Sequence, residues 1–527
     1  MTSTKLATSI LLLSIVAAVV LRLAGINAKT IMATDESPSY LNAAGKGCEY
    51  YDLVLAEKNP IGAWVPASEW KKFLHIEQPF CFGEIAHALT RFDIHPPLYF
   101  WLLHLWALVV GLHEWTGPSL NIIISVFALL SLHGLARRVL GEPLEAAVVA
   151  FTWALSPAVF QMSFEARHYD LLALVAILFV WQMLKVVQPV TEPQKHDYIL
   201  LMLLTAAGAL THYYFFIFVA GCGLFAIAKL FGQHKKRLWV GIAAVLSGFG
   251  LFYLLHPGFY NSFHNEQKEV GVFSTADFMA RIENVVNTFK QFFFFPFSSR
   301  YLLIGIAAAW LIAAWRTKRW LPFPRATNWR DMQMLYFFAW PAAVQIGLYL
   351  AYLSPQHAAL PKHFSAAWPF LAFLPVFMLR PFKKFKIPGV ILFWLFLIFA
   401  AVSGLRNFNA FTASQPNPTA TLQRANAVIL DNASMNVLPR IVAKLANHTP
   451  VFAASRDAMQ RIPALWLEHI DSNAVYISVN APIFNNNATG QEAIIGLIQQ
   501  YYEAEIIRRG AWGFGDLVLI KRKLARE

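Results

Sequence analysis

Repeated apolar runs without charge constrain this chain more than any other feature of its sequence. Leu6–Leu21, Leu120–Ala136, Ala146–Gln161, Leu238–Leu255 and Phe364–Leu379 contain no Asp, Glu, Lys or Arg. A bilayer core takes roughly 17–25 helical residues to cross, and in lipid only helices and closed barrels satisfy their own backbone. Runs near that length, recurring along the chain, predict a bundle of membrane-spanning helices. Composition agrees: 57% of residues are hydrophobic and 14% charged, against about 25% charged in soluble domains.

The formal net charge of +13 would suit a nucleic-acid partner if it formed a basic stripe with aromatic side chains interleaved. Instead, Lys and Arg fall in short clusters between apolar runs: Arg137-Arg138, Lys235-Lys236-Arg237, Arg316–Arg319 and Lys383-Lys384. Such clusters mark cytoplasmic loops. The charge is therefore read as membrane orientation, and nucleic acid is not an expected partner.

Spans are expected at about 6–25, 119–137, 144–162, 169–186, 197–212, 214–231, 238–256, 300–317, 332–354, 363–380 and 387–405, about eleven in all. The apolar run 97–112 is left out. Were it to cross, Arg137-Arg138 and every later basic cluster would face outward. Its Tyr99, Trp101, His104 and Trp106 suit a helix lying at the interface. Residues 197–231 are divided because a single helix of that length would be about 50 Å long. His212-Tyr213-Tyr214 provides the break.

This arrangement gives a transmembrane domain over 1–406, with outer loops at 27–97 and 257–299, and a C-terminal outer domain over 407–527. The tail differs in composition. Pro450–Phe452, Val475–Val479 and Leu517–Ile520 read as strands, and 456–470 and 489–503 as helices, which predicts a small α/β domain. Cys48 and Cys81 share the first outer loop. A disulfide between them is expected there, with two free thiols as the alternative.

Polar residues concentrate on the outer side. In Asp35-Glu36, one carboxylate is suited to accept a proton and the other to hold a metal or orient the site. The alternative is a helix start, since Ser37-Pro38 follows. Asp93-Ile94-His95-Pro96-Pro97 forms a second cluster where the chain meets the membrane. Glu165-Ala166-Arg167-His168-Tyr169-Asp170 forms a third, with an Arg suited to grip phosphate through two hydrogen bonds. Pairing of Arg167 with Glu165, or snorkelling to the interface, is the structural alternative. His212-Tyr213 and Lys362-His363 add cationic or hydroxylated groups at outer helix ends. Together they would hold an anionic head at the interface while an apolar tail stays in lipid. Candidate metal ligands are Glu36, His95, His256 and His264, with no spacing that defines a site.

These segments resemble the GT-C glycosyltransferases, specifically the protein O-mannosyltransferase-like group that includes lipid A aminoarabinose transferases. The resemblance is carried in order by Asp35-Glu36, HPPLYFWLLHLW from His95, Ser156-Pro157 with EARHYDLL at 165–172, THYYFF at 211–216 and KHFSAAWPFLA at 362–372. Lys362, His363 and Ala366 depart from the group's usual Arg, Tyr and Pro. The resemblance implies two juxtamembrane helices in the first outer loop. It implies a polyprenyl-phosphate-linked sugar donor, a glycan, lipid A or protein acceptor, inversion, and Asp35 as general base. Arg167 and Lys362 would then offset charge on the leaving phosphate. It leaves a divalent metal open, because metal dependence varies within the superfamily. A lipid-carrier flippase or transporter, and an O-antigen ligase or polymerase, are the competing readings. The first would carry inverted repeats, and the second a large outer loop late in the chain.

Overall fold

The computed structural model describes residues 3–188, 192–261, 361–380, 386–414, 419–467, 470, 473–479, 488–511 and 515–523, with isolated positions between 279 and 346. The chain forms two compact units. One comprises Met1–Ile26, Asp93–Tyr99 and Gly117–Ala413; the other comprises Asn27–Phe92, Phe100–Thr116 and Ser414–Glu527.

The first unit is helical. It contains α1 (Ser3–Ala28), α7 (Thr116–Leu140), α8 (Pro143–Leu155), α9 (Pro157–Met162), α10 (Tyr169–Val187), α11 (Lys195–Ala209), α12 (Phe215–Leu230) and α13 (Lys235–Leu255). A later helix spans Lys386–Ser414. Among the described residues, α1, α7, α10, α13 and the Lys386–Ser414 helix are long and apolar enough to cross a membrane. The break expected within 197–231 is present, with Leu210–Tyr214 separating α11 from α12. Two expected spans are interrupted instead. The 144–162 segment breaks at Ser156, whose ψ of 123° is extended, because Pro157 disfavours helix in the residue before it. The 363–380 segment resolves into a short 3-10 turn and helices Trp368–Leu371 and Leu374–Leu379, with Pro369 and Pro375 removing helix donors. The 300–317 segment lies outside the described residues, as does most of 332–354.

The second unit joins the first loop to the tail. The loop supplies α2 (Glu36–Ala43), α3 (Gly47–Leu55), β1 (Trp64–Pro66), α4 (Ala67–Lys71), α5 (Phe82–Phe92) and most of α6 (Leu98–Val110). The tail supplies β2 (Val428–Leu430), β3 (Pro450–Ala453), β4 (Ala474–Val479), β5 (Tyr502–Ala511) and β6 (Gly515–Arg522). The sheet order is β1-β3-β2-β4-β6-β5. Strands β3, β2 and β4 run parallel, whereas β1 pairs antiparallel to β3 with Val65 opposite Val451. Helices cover both faces. Leu41, Tyr50, Trp70 and Phe73 from the loop pack on Val428, Leu430, Val475 and Ile477. Met459, Trp466, Ile494 and Ile498 pack on Ile429 and Tyr476 from the other side. Burial on both faces explains why β2 is a continuous apolar run and β4 is apolar except at Ser478.

A buried polar network ties the carboxyl ends of the three parallel strands. Arg456 Nε donates to Asp431 Oδ2 at 2.6 Å, Arg456 Nη2 donates to Ser478 Oγ at 2.7 Å, and the Val479 N–H donates to Asp431 Oδ1 at 2.8 Å. Burial pushes the Asp431 carboxyl up, and Arg456 offsets only part of that shift. Removing one partner of such a pair strands a buried charge, at a cost of about 3–5 kcal/mol. Arg456→Met should therefore lower thermal stability by several degrees or abolish folding of this unit. Asp431→Asn strands the buried Arg456 guanidinium, which cannot shed its charge, and should be at least as damaging. Equal melting temperatures for Arg456→Met and wild type would refute a structural role for the network.

The first loop corrects one expectation. Cys48 and Cys81 are both free. Cys81 is buried among Ile85, Leu89 and Phe100, with its Sγ 3.9 Å from His104 Nδ1, while Cys48 lies on α3. The loop is braced by other means. The Phe80 N–H donates to His104 Nε2 at 2.9 Å, His104 Nδ1 donates to the Ala43 carbonyl at 2.7 Å, and Trp101 Nε1 donates to the Phe82 carbonyl at 3.0 Å. These bonds fasten α6 to the loop. Its 13 residues make it about 20 Å long, shorter than a hydrocarbon core of about 30 Å.

Candidate functional site

Four connections of the helical unit converge. The Asp93–Pro97 turn leads into α6, Arg167 and His168 link α9 to α10, His212 lies between α11 and α12, and Lys362 sits in the Pro361–Phe364 turn. The double proline limits the backbone before α6, and the Leu98 N–H donates to the Leu210 carbonyl at 3.0 Å. That bond holds the first turn against the third.

The side chains then meet. His95 Nδ1 donates to Asp93 Oδ1 at 2.5 Å, and Arg167 Nη2 donates to His95 Nε2 at 2.8 Å. This pattern assigns the proton of His95 to Nδ1. Burial raises the Asp93 carboxyl, but His95 and Arg167 outweigh it and hold the group below the usual carboxylate range. The His168 ring centroid lies 4.9 Å from those of His95 and His212 and 4.5 Å from that of Tyr169. Lys362 Nζ lies over the Tyr169 ring at 5.8 Å from its centroid.

His168 is the centre of this group. It is fully buried, and neither ring nitrogen has a hydrogen-bond partner among the described residues. Burial, then the neighbouring imidazoles of His212 and His95 and the cations Arg167 and Lys362, push its pKa well below that of a free histidine. The same field that discharges His168 favours an anion. A neutral imidazole with open donor and acceptor positions, set beside a guanidinium and an ammonium, is suited to oxygen atoms carrying negative charge.

Other candidates fall elsewhere. Asp170 is fully buried in the first turn of α10, and its opposing charge is Arg22 of α1. Arg22 is itself buried and donates from Nε to Ser163 Oγ at 2.9 Å. Arg22 is missing from the sequence reading, although an Arg at the end of an apolar span is the signal that could have found it. Tyr213 points away from His212, and its hydroxyl meets His256 Nε2 at 2.9 Å in a core with Phe252.

In the loop–tail unit, Glu36 is buried, ion-paired with Lys29, and accepts the Ala33 N–H. Those bonds close the turn before α2. Asp35 is half-buried at the start of α2, and its side chain makes no capping hydrogen bond. His264 and the side chain of His363 lie outside the described residues. Among the described residues, no three or more His, Cys, Asp or Glu side chains group to hold a metal. The metal candidates that are described, Glu36, His95 and His256, are each engaged with another partner.

Comparison with known proteins agrees with this architecture. Residues 94–253 match the family described as dolichyl-phosphate-mannose-protein mannosyltransferase. That range holds the Asp93–Pro97 turn from Ile94 onward, Arg167, His168 and His212. The apo structure of ArnT from Cupriavidus metallidurans aligns with a TM-score of 0.54 at 13% identity, covering 98% of each chain. The same protein bound to undecaprenyl phosphate aligns with a TM-score of 0.52 at 12% identity, again over 98% of each chain. No curated protein matches in sequence. Over residues 94–253 the chain is therefore similar to that mannosyltransferase family, and its apolar helices are arranged in the fold seen in ArnT.

Proposed function

We propose that the chain transfers a sugar from a polyprenyl-phosphate carrier to a hydroxyl or phosphate of a glycan, lipid A or protein acceptor. The observation that carries this reading is the buried His168, without a hydrogen-bond partner among the described residues, set among Arg167, Lys362, His95 and His212. It has the polarity that a lipid-linked phosphate needs at a membrane surface. The ArnT structure with undecaprenyl phosphate adds a precedent for such a ligand on this fold.

In the proposed reaction the acceptor oxygen bonds to the anomeric carbon from the face opposite the phosphate. The carbon–oxygen bond to phosphate breaks, and its electron pair leaves on the polyprenyl phosphate, so configuration inverts. Asp35 takes the acceptor proton. Arg167 and Lys362 offset charge growing on the phosphate, while Asp93 orients Arg167 through His95. Glu36 acts as a positioning residue through its bonds to Lys29 and Ala33. The chain crosses a cytoplasmic membrane about eleven times, and both the chemistry and the tail lie on the outer face.

Purified protein in lipid nanodiscs, supplied with a radiolabelled polyprenyl-phosphate sugar, tests the proposal. Sugar should pass to an envelope acceptor with release of polyprenyl phosphate, and a nucleotide sugar should not replace the lipid donor. Lipid movement across the bilayer without cleavage, or transfer from the nucleotide sugar, would overturn it.

A further inference from the structure

The loop–tail unit contains a pocket of about 310 Å³ lined by Tyr50 and Tyr51 of α3 and by Ser434, Met435 and Asn436. It opens in the loop that leaves the carboxyl end of β2. There the chain runs from β2 to β3 on one side and then crosses to β4 on the other. Open α/β sheets bind ligands at this kind of topological switch.

Two hydrogen bonds set its walls. Tyr50 Oη donates to the Ala433 carbonyl at 2.8 Å, and Ser37 Oγ donates to the Met435 carbonyl at 2.7 Å. The second fixes the pocket's Met435 wall to a residue two positions from Asp35. The chemistry of the lining is specific. Every lining side chain is uncharged, so a phosphate finds no cation and an ammonium no carboxylate. Ser434 Oγ and Asn436 Oδ1 are buried without a hydrogen-bond partner among the described residues, which leaves a hydroxyl and an amide to be satisfied. Tyrosine rings and Met435 offer an apolar surface beside them. A neutral ring that is apolar on its faces and hydroxylated at its edge satisfies all three features.

We propose that this pocket is a saccharide subsite holding a neutral sugar ring of the acceptor, an assignment that rests on the transferase reading for the word acceptor. The test reads binding without turnover. Saturation-transfer NMR on the full chain in nanodiscs would use neutral hexoses and N-acetylhexosamines, with a hexose phosphate and a short neutral peptide as comparisons. Ring protons of a neutral sugar should receive saturation. Asn436→Leu and Ser434→Ala should each weaken that binding about five- to tenfold without changing the melting temperature. Ser434→Ala removes one oxygen only, so it keeps the test open if the leucine variant fails to fold. Absence of saturation for every neutral sugar, equal binding in both variants, or preference for the phosphate or the peptide would overturn the assignment. Sugar binding lost in the variants, from a wild type that shows no lipid-dependent transfer, would overturn the transferase reading and leave the pocket a sugar site.

Discussion

Asp35→Asn should abolish sugar transfer while leaving the fold intact. A positioned general base contributes roughly 10²–10⁴-fold, and the amide keeps the carboxylate's shape while losing its basicity. Asp35 makes no side-chain capping bond to α2, so the helix does not depend on its charge for a cap. The loss should appear in kcat, with an unchanged melting temperature. Glu36→Gln provides the contrast. Its carboxylate closes a buried turn through Lys29 and Ala33, so that variant should lose stability first. Transfer by Asp35→Asn above a tenth of wild type would remove Asp35 from the role of base.

Arg167→Ala should be almost as damaging, by about 10²–10³ in turnover. Arg167→Lys should be impaired and not dead. Its guanidinium donates to His95 Nε2 at 2.8 Å, within a chain that begins at Asp93. Lysine keeps the charge and loses the planar fork that holds this geometry and a phosphate together. Interactions that tighten as the phosphate leaves act on kcat as well as on donor affinity. Steady-state kinetics on folded protein with a defined lipid-linked sugar separate this from simple anchoring. If Arg167→Ala turns over normally at every donor concentration, the residue is structural.

Much of the helical unit is legible because its physics is local. A run without charge and of bilayer length specifies a helix, and a break such as His212-Tyr213-Tyr214 shows where it stops. The interruptions at Pro157, Pro369 and Pro375 also follow a local rule, but one that a hydropathy count over 144–162 or 363–380 passes over. Convergence of His95, Arg167, His168 and His212 is partly legible, since alternating helices bring polar groups at every second connection to one end. Side-chain direction is not. Tyr213 adjoins a residue of the cluster, yet its hydroxyl turns to His256, because successive residues at a helix start point to different sides. The loop–tail sheet was the least legible. β1 is three residues ending in proline and has no alternating pattern of its own. It exists only because β3, almost 400 residues later, offers an edge.

That pairing counts membrane crossings. Hydrogen-bonded strands cannot be separated by a bilayer, so Trp64–Pro66 and Pro450–Ala453 occupy the same compartment. The chain between them must therefore traverse the membrane an even number of times, whatever the fate of any single apolar segment. The arrangement proposed above has about ten traversals in that interval, which satisfies the condition. Making α6 an extra traversal breaks it, as does removing any one of the ten. Any revised topology must add or remove traversals in pairs.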